Sequence, residues 1–185
     1  MLVEFELTKE MLSCREHIRR TNKFTVDPDL PEASKLNNDY KHSGYDRGHN
    51  MSAQDNECEE EGMKECFYFT NMFPQTHSLN AGPWEKLEKH ERQEAIEEGK
   101  IKVFIGSLGE KARIGPHRVV VPAFCWKVIY KENTKEYECY LMPNQELGNP
   151  DYMVYKVTSG EIEKKSGIRF QGDKALIHSR GKIAY

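Results

Sequence analysis

Pro83 and Gly99 bracket the segment from Trp84 to Glu98, and no other feature constrains the fold as much. Proline suits the first turn of a helix, because the N–H it lacks would have no intrahelical partner there. Glycine suits the position just past the last turn, where the backbone often becomes left-handed. The segment 84–98 is therefore predicted to be the main helix. Lys102-Val103-Phe104-Ile105-Gly106 follows as a strand. Residues 119–130 form another, with Trp126, Val128 and Tyr130 alternating on one face. Glu132-Asn133-Thr134-Lys135 turns the chain into a partner strand from Tyr137 to Met142. Ile162 to Gly167 reads as a short helix before a polar tail. Antiparallel strands with helices set apart from them indicate an α+β domain, a sheet flanked by helices.

Upstream the pattern is weaker. Residues 1–20 show no clean period, and a short helix is expected around Lys9–Arg20. Residues 21–45 carry Asp27-Pro28-Asp29-Leu30-Pro31 and Asn37-Asn38-Asp39, which read as turns and loop. Cys66-Phe67-Tyr68-Phe69-Thr70 is apolar and rich in β-formers, so a buried strand is expected. Asn71 to Pro83 reads as loop. The 185 residues are enough for one domain, taken as a single unit over 1–185.

Composition narrows the function classes. Lys and Arg number 27 against 30 Asp and Glu, a net charge of -3, which excludes a histone-like cationic protein but not one local nucleic-acid site. No apolar run approaches the roughly 20 residues that a bilayer span needs. Acids in Met1–Glu6 do not suit a signal peptide. Either the chain stays in the cytoplasm, or a leader was removed, which would make it secreted or periplasmic. Five cysteines leave at least one unpaired within the chain. Cys125 and Cys139 look like core residues. Cys58 and Cys66 could pair under oxidising conditions, and their spacing does not supply a zinc site.

Two segments carry chemistry. In Asp46-Arg47-Gly48-His49, His49 has the pKa range of a general base at neutral pH. Arg47 can clamp a phosphate through two hydrogen bonds. Gly48 allows close backbone approach or a left-handed turn. Read alone, this is also an ordinary surface turn. The second segment, Asn71 to Glu88, places two amides, Asn71 and Asn80, before the helix. An amide oxygen is a hard ligand suited to Mg²⁺, which keeps most of its waters. Glu88 and Arg92 lie one turn apart on the same helical face. Glu88 could hold a metal-bound water and Arg92 a phosphate, or the two could form a routine surface pair.

Together, Asp46-Arg47-Gly48-His49 and Asn71-x-x-Pro74-Gln75-x4-Asn80-x3-Trp84-x2-Leu87-Glu88 resemble the DNA/RNA non-specific endonuclease family, the sugar-non-specific nucleases with a ββα-metal active site. Phe104-Ile105-Gly106, Val121-Pro122, Trp126-Lys127-Val128 and Leu141-Met142-Pro143-Asn144 extend the resemblance over about Tyr45–Phe170, with residues 1–44 matching poorly. It implies His49 as general base and Asn80 as the direct Mg²⁺ ligand. It implies Glu88 as the holder of a metal-bound water, with Arg47, Asn71 and Arg92 around the scissile phosphate. Mn²⁺ or Ca²⁺ also fits oxygen ligation. DNA and RNA are the implied substrates, contacted through the phosphate backbone, with 5′-phosphate products. A homodimer is compatible with the family, and no membrane association is implied. All six polar positions are present, which favours an enzyme over a binding protein that keeps the fold without catalysis.

Other features fit plainer roles. His42, His77, His90, His117 and His178 are scattered singly, and only His77 falls within the second motif, where it could touch substrate. Trp84 is expected as a core anchor beneath the helix. Met51, Met63 and Met72 are expected to fill the core or line the site. The main helix is very acidic. Either that face points away from a polyanion, or a bound cation offsets it.

Overall fold

The structure is a computed structural model that describes residues 2–30 and 37–177. The chain opens with β1 (Leu2–Thr8), followed after an irregular stretch by the short helix α1 (Asn37–Tyr40). Strand β2 (Asp46–His49), helix α2 (Glu60–Glu65), strand β3 (Met72–Gln75) and the single turn α3 (His77–Leu79) come next. A π-helical turn, Asn80–Trp84, leads directly into α4 (Glu85–Glu98). The rest is β4 (Lys100–Leu108), β5 (Ala112–Ile114), β6 (Val119–Val121), β7 (Phe124–Lys131), β8 (Glu136–Pro143), β9 (Lys156–Val157), α5 (Ser159–Ser166), β10 (Ile168–Gln171) and β11 (Lys174–Ile177).

The main sheet runs β1-β4-β7-β8-β9, each pair antiparallel. Period-2 alternation buries both of its faces. Cys125 and Ile129 of β7 point to one face with Val103, Ile105, Tyr140 and Met142, where α4 seals the layer through Leu87 and Ala95. Trp126, Val128 and Tyr130 point to the other with Phe104 and Cys139, covered by Ile162 of α5 and Ile168 of β10. Each large side chain removed from water contributes about 1.5–3 kcal/mol. The expected α+β class and the helix over 84–98 are therefore present. At Gly99 the backbone has φ 82°, the left-handed value that a residue without Cβ adopts freely.

Upstream, several expectations need correction. The helix around Lys9–Arg20 is only a 3-10 turn at Glu10–Leu12. Residues 2–8 instead form an edge strand, paired from Leu2↔Gly106 to Thr8↔Lys100. Val3, Phe5 and Leu7 alternate with Glu4 and Glu6, a signal that was present in the sequence. Cys66–Thr70 is not a strand. Cys66 ends α2, and Phe69–Asn71 is a 3-10 turn that packs Phe69 inward. The strand begins at Met72 and includes Pro74, which a two-stranded hairpin tolerates because each strand keeps a free edge. Thus Asn71–Pro83, expected as loop, is strand followed by tight helical turns. Cys58 bonds Cys14 rather than Cys66, and Cys66, Cys125 and Cys139 are free and buried. His178 lies outside the described residues. Among the described residues no helix is long and apolar enough to cross a membrane.

Candidate active site

The hairpin β2–β3 stands apart from the main sheet, in register from Asp46↔Gln75 to His49↔Met72. Alternation divides its residues between two faces. Arg47 and His49 look toward a cluster of aromatic rings, Asp46 meets His77 and Asn80, and Gly48 lies against the Gln75 side chain. Gly48 has a specific reason to lack a side chain. A Cβ there would sit 2.1 Å from Oε1 of Gln75, so the close approach that glycine permits is made by a protein side chain.

On the aromatic face, His49 is buried at 7% exposure. Its ring lies 5.3 Å from that of Phe67 and 6.0 Å from that of Phe24. Burial holds its pKa down at about 3, with the Arg20 cation adding to the effect and a hydrogen bond to the Arg47 backbone opposing it. The imidazole is therefore neutral at physiological pH, as a proton acceptor must be. No protein group reaches its Nε2 among the described residues. The Arg47 guanidinium stacks over Phe24 at 4.9 Å and Tyr40 at 5.5 Å. These rings fix the plane of the cation.

At the start of the hairpin, Nδ2 of Asn80 donates to Oδ2 of Asp46 at 3.0 Å. An ionised carboxylate only accepts, so it selects the NH₂ end of the amide and leaves the oxygen facing elsewhere. Nδ1 of His77 meets the same carboxylate oxygen at 2.9 Å, with the ring otherwise exposed. The turn that carries Asn80 is held from behind. Thr76 caps α3, and its N–H donates to Oδ1 of Asn144 at 2.9 Å. Nδ2 of Asn144 donates to the carbonyls of Pro74 and Pro122. Trp84 is fully buried beneath the turn, edge-on to Phe73, as the anchor it was expected to be.

Asn71 and Arg92 brace the loop after His49. The Asn71 amide accepts from the Met51 N–H at 3.0 Å and donates to the carbonyls of Met51 and Cys66 at 2.9 Å. Its hydrogen bonds thus go to backbone, whereas the sequence placed it at a phosphate. Nη1 of Arg92 donates to Oδ1 of buried Asp55 at 2.9 Å, and Nη2 to Gln54 at 2.7 Å. Met63 and Met72 are core residues, and Met51 is half-buried.

The acidity of α4 resolves residue by residue. Glu85 pairs with Lys89, Glu91 with Lys127, and Glu94 with Lys131. Glu97 accepts from Gln93 and Glu98 from Asn133. Among the described residues no hydrogen bond or ion pair reaches Glu88. Burial pushes its carboxyl up to about 7, and the neighbouring Lys127 and Arg92 cations pull only partly against this. Asn80 offers a neutral oxygen, and Glu88, on α4 beyond the kink at Gly82, an unpartnered carboxylate. That oxygen-only donor set fits a hard divalent cation.

A second cluster lies elsewhere on α4. His90, Glu94 and Glu138 bring three potential ligand atoms within 4.8 Å of one another. Lys131 already pairs with both carboxylates there, and the Tyr140 hydroxyl donates to Glu138 at 2.8 Å. His117 is held by Asp39 at 2.8 Å and His17 by Glu57 at 2.9 Å. Sequence reasoning missed Asp46, Asp55, Asn144 and Phe24 as parts of this site. Asp46 and Asn144 stood inside quoted motifs, but Asp55 and Phe24 gave no local signal.

The sequence profile described as DNA/RNA non-specific endonuclease matches residues 1–175. The chain belongs to that family. The match includes the N-terminal residues that resembled it poorly by motif. Among family relatives, the mitochondrial nuclease EXOG of Danio rerio is 32% identical over 171 residues, 82% of this chain and 50% of that protein. The mitochondrial endonuclease G of Homo sapiens is 31% identical over 169 residues, 82% of this chain and 57% of that protein. A solved endonuclease of the family, EndoG in the EndoG/EndoGI complex, superposes with a TM-score of 0.83 at 29% identity, covering 91% of this chain and 77% of that one. This family member spans about half the length of the EXOG relatives it matches.

Proposed function

We propose that the chain is a metal-dependent, sequence-non-specific endonuclease that hydrolyses phosphodiester bonds of DNA and RNA, leaving 5′-phosphate ends. Residues 1–185 act as one nuclease domain in this reading. The observation that carries it is the amide of Asn80, held by Asp46 so that its oxygen is free, in the kinked turn that leads into α4 and the unpartnered carboxylate of Glu88. Asn80 would hold Mg²⁺ directly and Glu88 through a water, with Mn²⁺ or Ca²⁺ as chemically acceptable substitutes. The ion, when bound, would supply charge stabilisation at the phosphate and at the leaving 3′-oxygen.

The remaining work falls to side chains. Neutral His49 takes the proton of the attacking water on an imidazole nitrogen. Arg47, its plane fixed by Phe24 and Tyr40, meets a phosphate oxygen. Arg92 adds positive charge beside the same phosphate while bracing the Asp55 loop. Asn71 keeps the chain after His49 in place through Met51. Contacts of this kind address the backbone of a nucleic acid and carry no base information, which accounts for indifference to sequence.

Digestion of plasmid DNA and of an unstructured RNA with Mg²⁺, repeated with chelator and with His49→Ala, tests the proposal. Both polymers should be cut, chelator should abolish cutting, and the variant should lose at least a hundredfold in turnover. Cutting that survives chelator, or an unimpaired variant, would refute it.

A further inference from the structure

A charged residue stands in the apolar layer between the main sheet and α4. Lys127 lies on β7 between Cys125 and Ile129 and opposite Ile105 and Tyr140, all four of them core residues of that layer. Directly opposite residues share a face, so the lysine points where the pattern calls for an apolar side chain. It is 1% exposed, and it forms an ion pair with fully buried Glu91. The second carboxylate oxygen of Glu91, Oε1, has no hydrogen-bond partner among the described residues. Stability does not account for the pair, because apolar residues of like volume often serve a core as well or better. A break in local pattern of this kind is expected where it supports a site.

The contacts of the ammonium indicate which site. Nζ of Lys127 lies 5.0 Å from the centre of the Trp84 ring and against the Glu91 carboxylate. Trp84 has helical backbone angles, φ -67° and ψ -47°, so Trp84, Glu88 and Glu91 follow at i, i+4 and i+7 on one helical face. One nitrogen thus touches the residue a turn before Glu88 and the residue a turn after it. Of the cations that act on the Glu88 carboxyl, Lys127 acts most strongly, in agreement with this placement. Trp84 in turn meets Phe73 of β3 edge-on at 5.8 Å, which extends the contact to the hairpin. We infer that Lys127 is a positioning residue for the cation site, fixing from the sheet the rotation and level of the α4 face that carries Glu88, through Trp84 on one side and Glu91 on the other. An ion pair and a cation over a ring are directional, whereas an apolar contact lets a helix turn or slide. The inference rests on the metal-dependent reading above and adds a residue that acts through others.

Direct titration of Mn²⁺ into the metal-free protein tests it, without nucleic acid and without turnover. The double variant Lys127→Met with Glu91→Leu removes both charges at once, so no ion is left stranded in the core. Its melting temperature without metal should stay unchanged or rise. Groups that orient metal ligands typically change affinity by about 10–100-fold when removed, so this variant should bind Mn²⁺ at least about tenfold more weakly. Lys127→Gln with Glu91→Gln keeps the volumes and the net charge but takes the cation from the indole. It should also bind more weakly, by about threefold or more, and it decides the matter alone if the apolar pair does not fold. Affinity within about twofold of wild type in either folded variant would overturn the inference. So would an affinity loss that only follows a fall in the metal-free melting temperature, since the pair would then serve the fold alone. Wild type that binds no Mn²⁺ would overturn the metal-dependent reading and this inference with it. Wild type that binds Mn²⁺ but cuts no nucleic acid would sink the nuclease reading and leave this one standing.

Discussion

The Asp46 carboxylate accepts from the Asn80 amide at 3.0 Å, and this one bond decides that the amide oxygen is the end left free. The contact joins β2 to the turn that precedes α4, so it also ties the hairpin to the helix. Asp46→Ala removes the acceptor and frees the amide to rotate. Calorimetric titration should show divalent-cation affinity falling by about tenfold or more, the usual penalty for losing a group that orients a metal ligand. An unaltered isotherm would show that Asn80 is oriented by something else.

His49 is the next case. Its unfolded-state pKa is near 6.5, and burial brings the folded value to about 3. Between those values the unfolded chain binds a proton that the folded chain refuses, so stability declines as pH falls through this window. Denaturant unfolding between pH 7 and 4 should show that decline for wild type and a shallower one for His49→Phe. The imidazole NMR signals of His49 should also stay in their neutral position at pH 5. A titration midpoint near 6.5 would contradict the burial argument.

Glu88 has the opposite sign. Its carboxyl is raised to about 7, so the folded state holds a proton through the window from about 4.5 to 7 that the unfolded state has already lost. Its presence therefore lowers the stability of the metal-free protein as pH rises through that range. Glu88→Gln should melt higher than wild type at pH 8 without metal, and should lose the stabilisation that added Mg²⁺ gives wild type. Equal melting temperatures in the absence of metal would indicate that the carboxylate is already compensated.

The Cys14–Cys58 bridge gives a third measurement of stability. It ties the irregular segment after β1 to the loop that carries Asp55, reinforced by the Ile18 N–H donating to the Glu57 carbonyl at 2.7 Å. The loop it closes has a sequence separation of 44. Chain-entropy arguments give about 4 kcal/mol for a loop of that order, about 2–4 being usual. Urea unfolding of Cys58→Ser should show a loss in that range. A difference below about 0.5 kcal/mol would mean that the packing of Ile18 and Phe24 holds this segment unaided.

The sequence by itself determined the elements with strong local signals. Pro83 and Gly99 fixed the span of α4, and strict alternation fixed β7 and its turn into β8. The two motifs singled out Arg47, His49, Asn71, Asn80 and Glu88 as candidates, because those residue types and spacings seldom occur together by chance. The sequence did not determine how Asn71–Pro83 is built, since a short strand with proline and a π-helical turn have no period to read. Nor could it show that Cys14, rather than Cys66, closes the bridge, because distance along a chain does not give distance in space. Only tertiary structure decided the electrostatics. Each acid of α4 looks alike in sequence. It is the approach of Lys127 and Lys131 from β7 that satisfies Glu91 and Glu94, while half-buried Glu88 has no hydrogen bond or ion pair among the described residues. The pKa of His49 likewise follows from rings brought to it by Phe24 and Phe67, because desolvation belongs to a folded environment and not to a residue type.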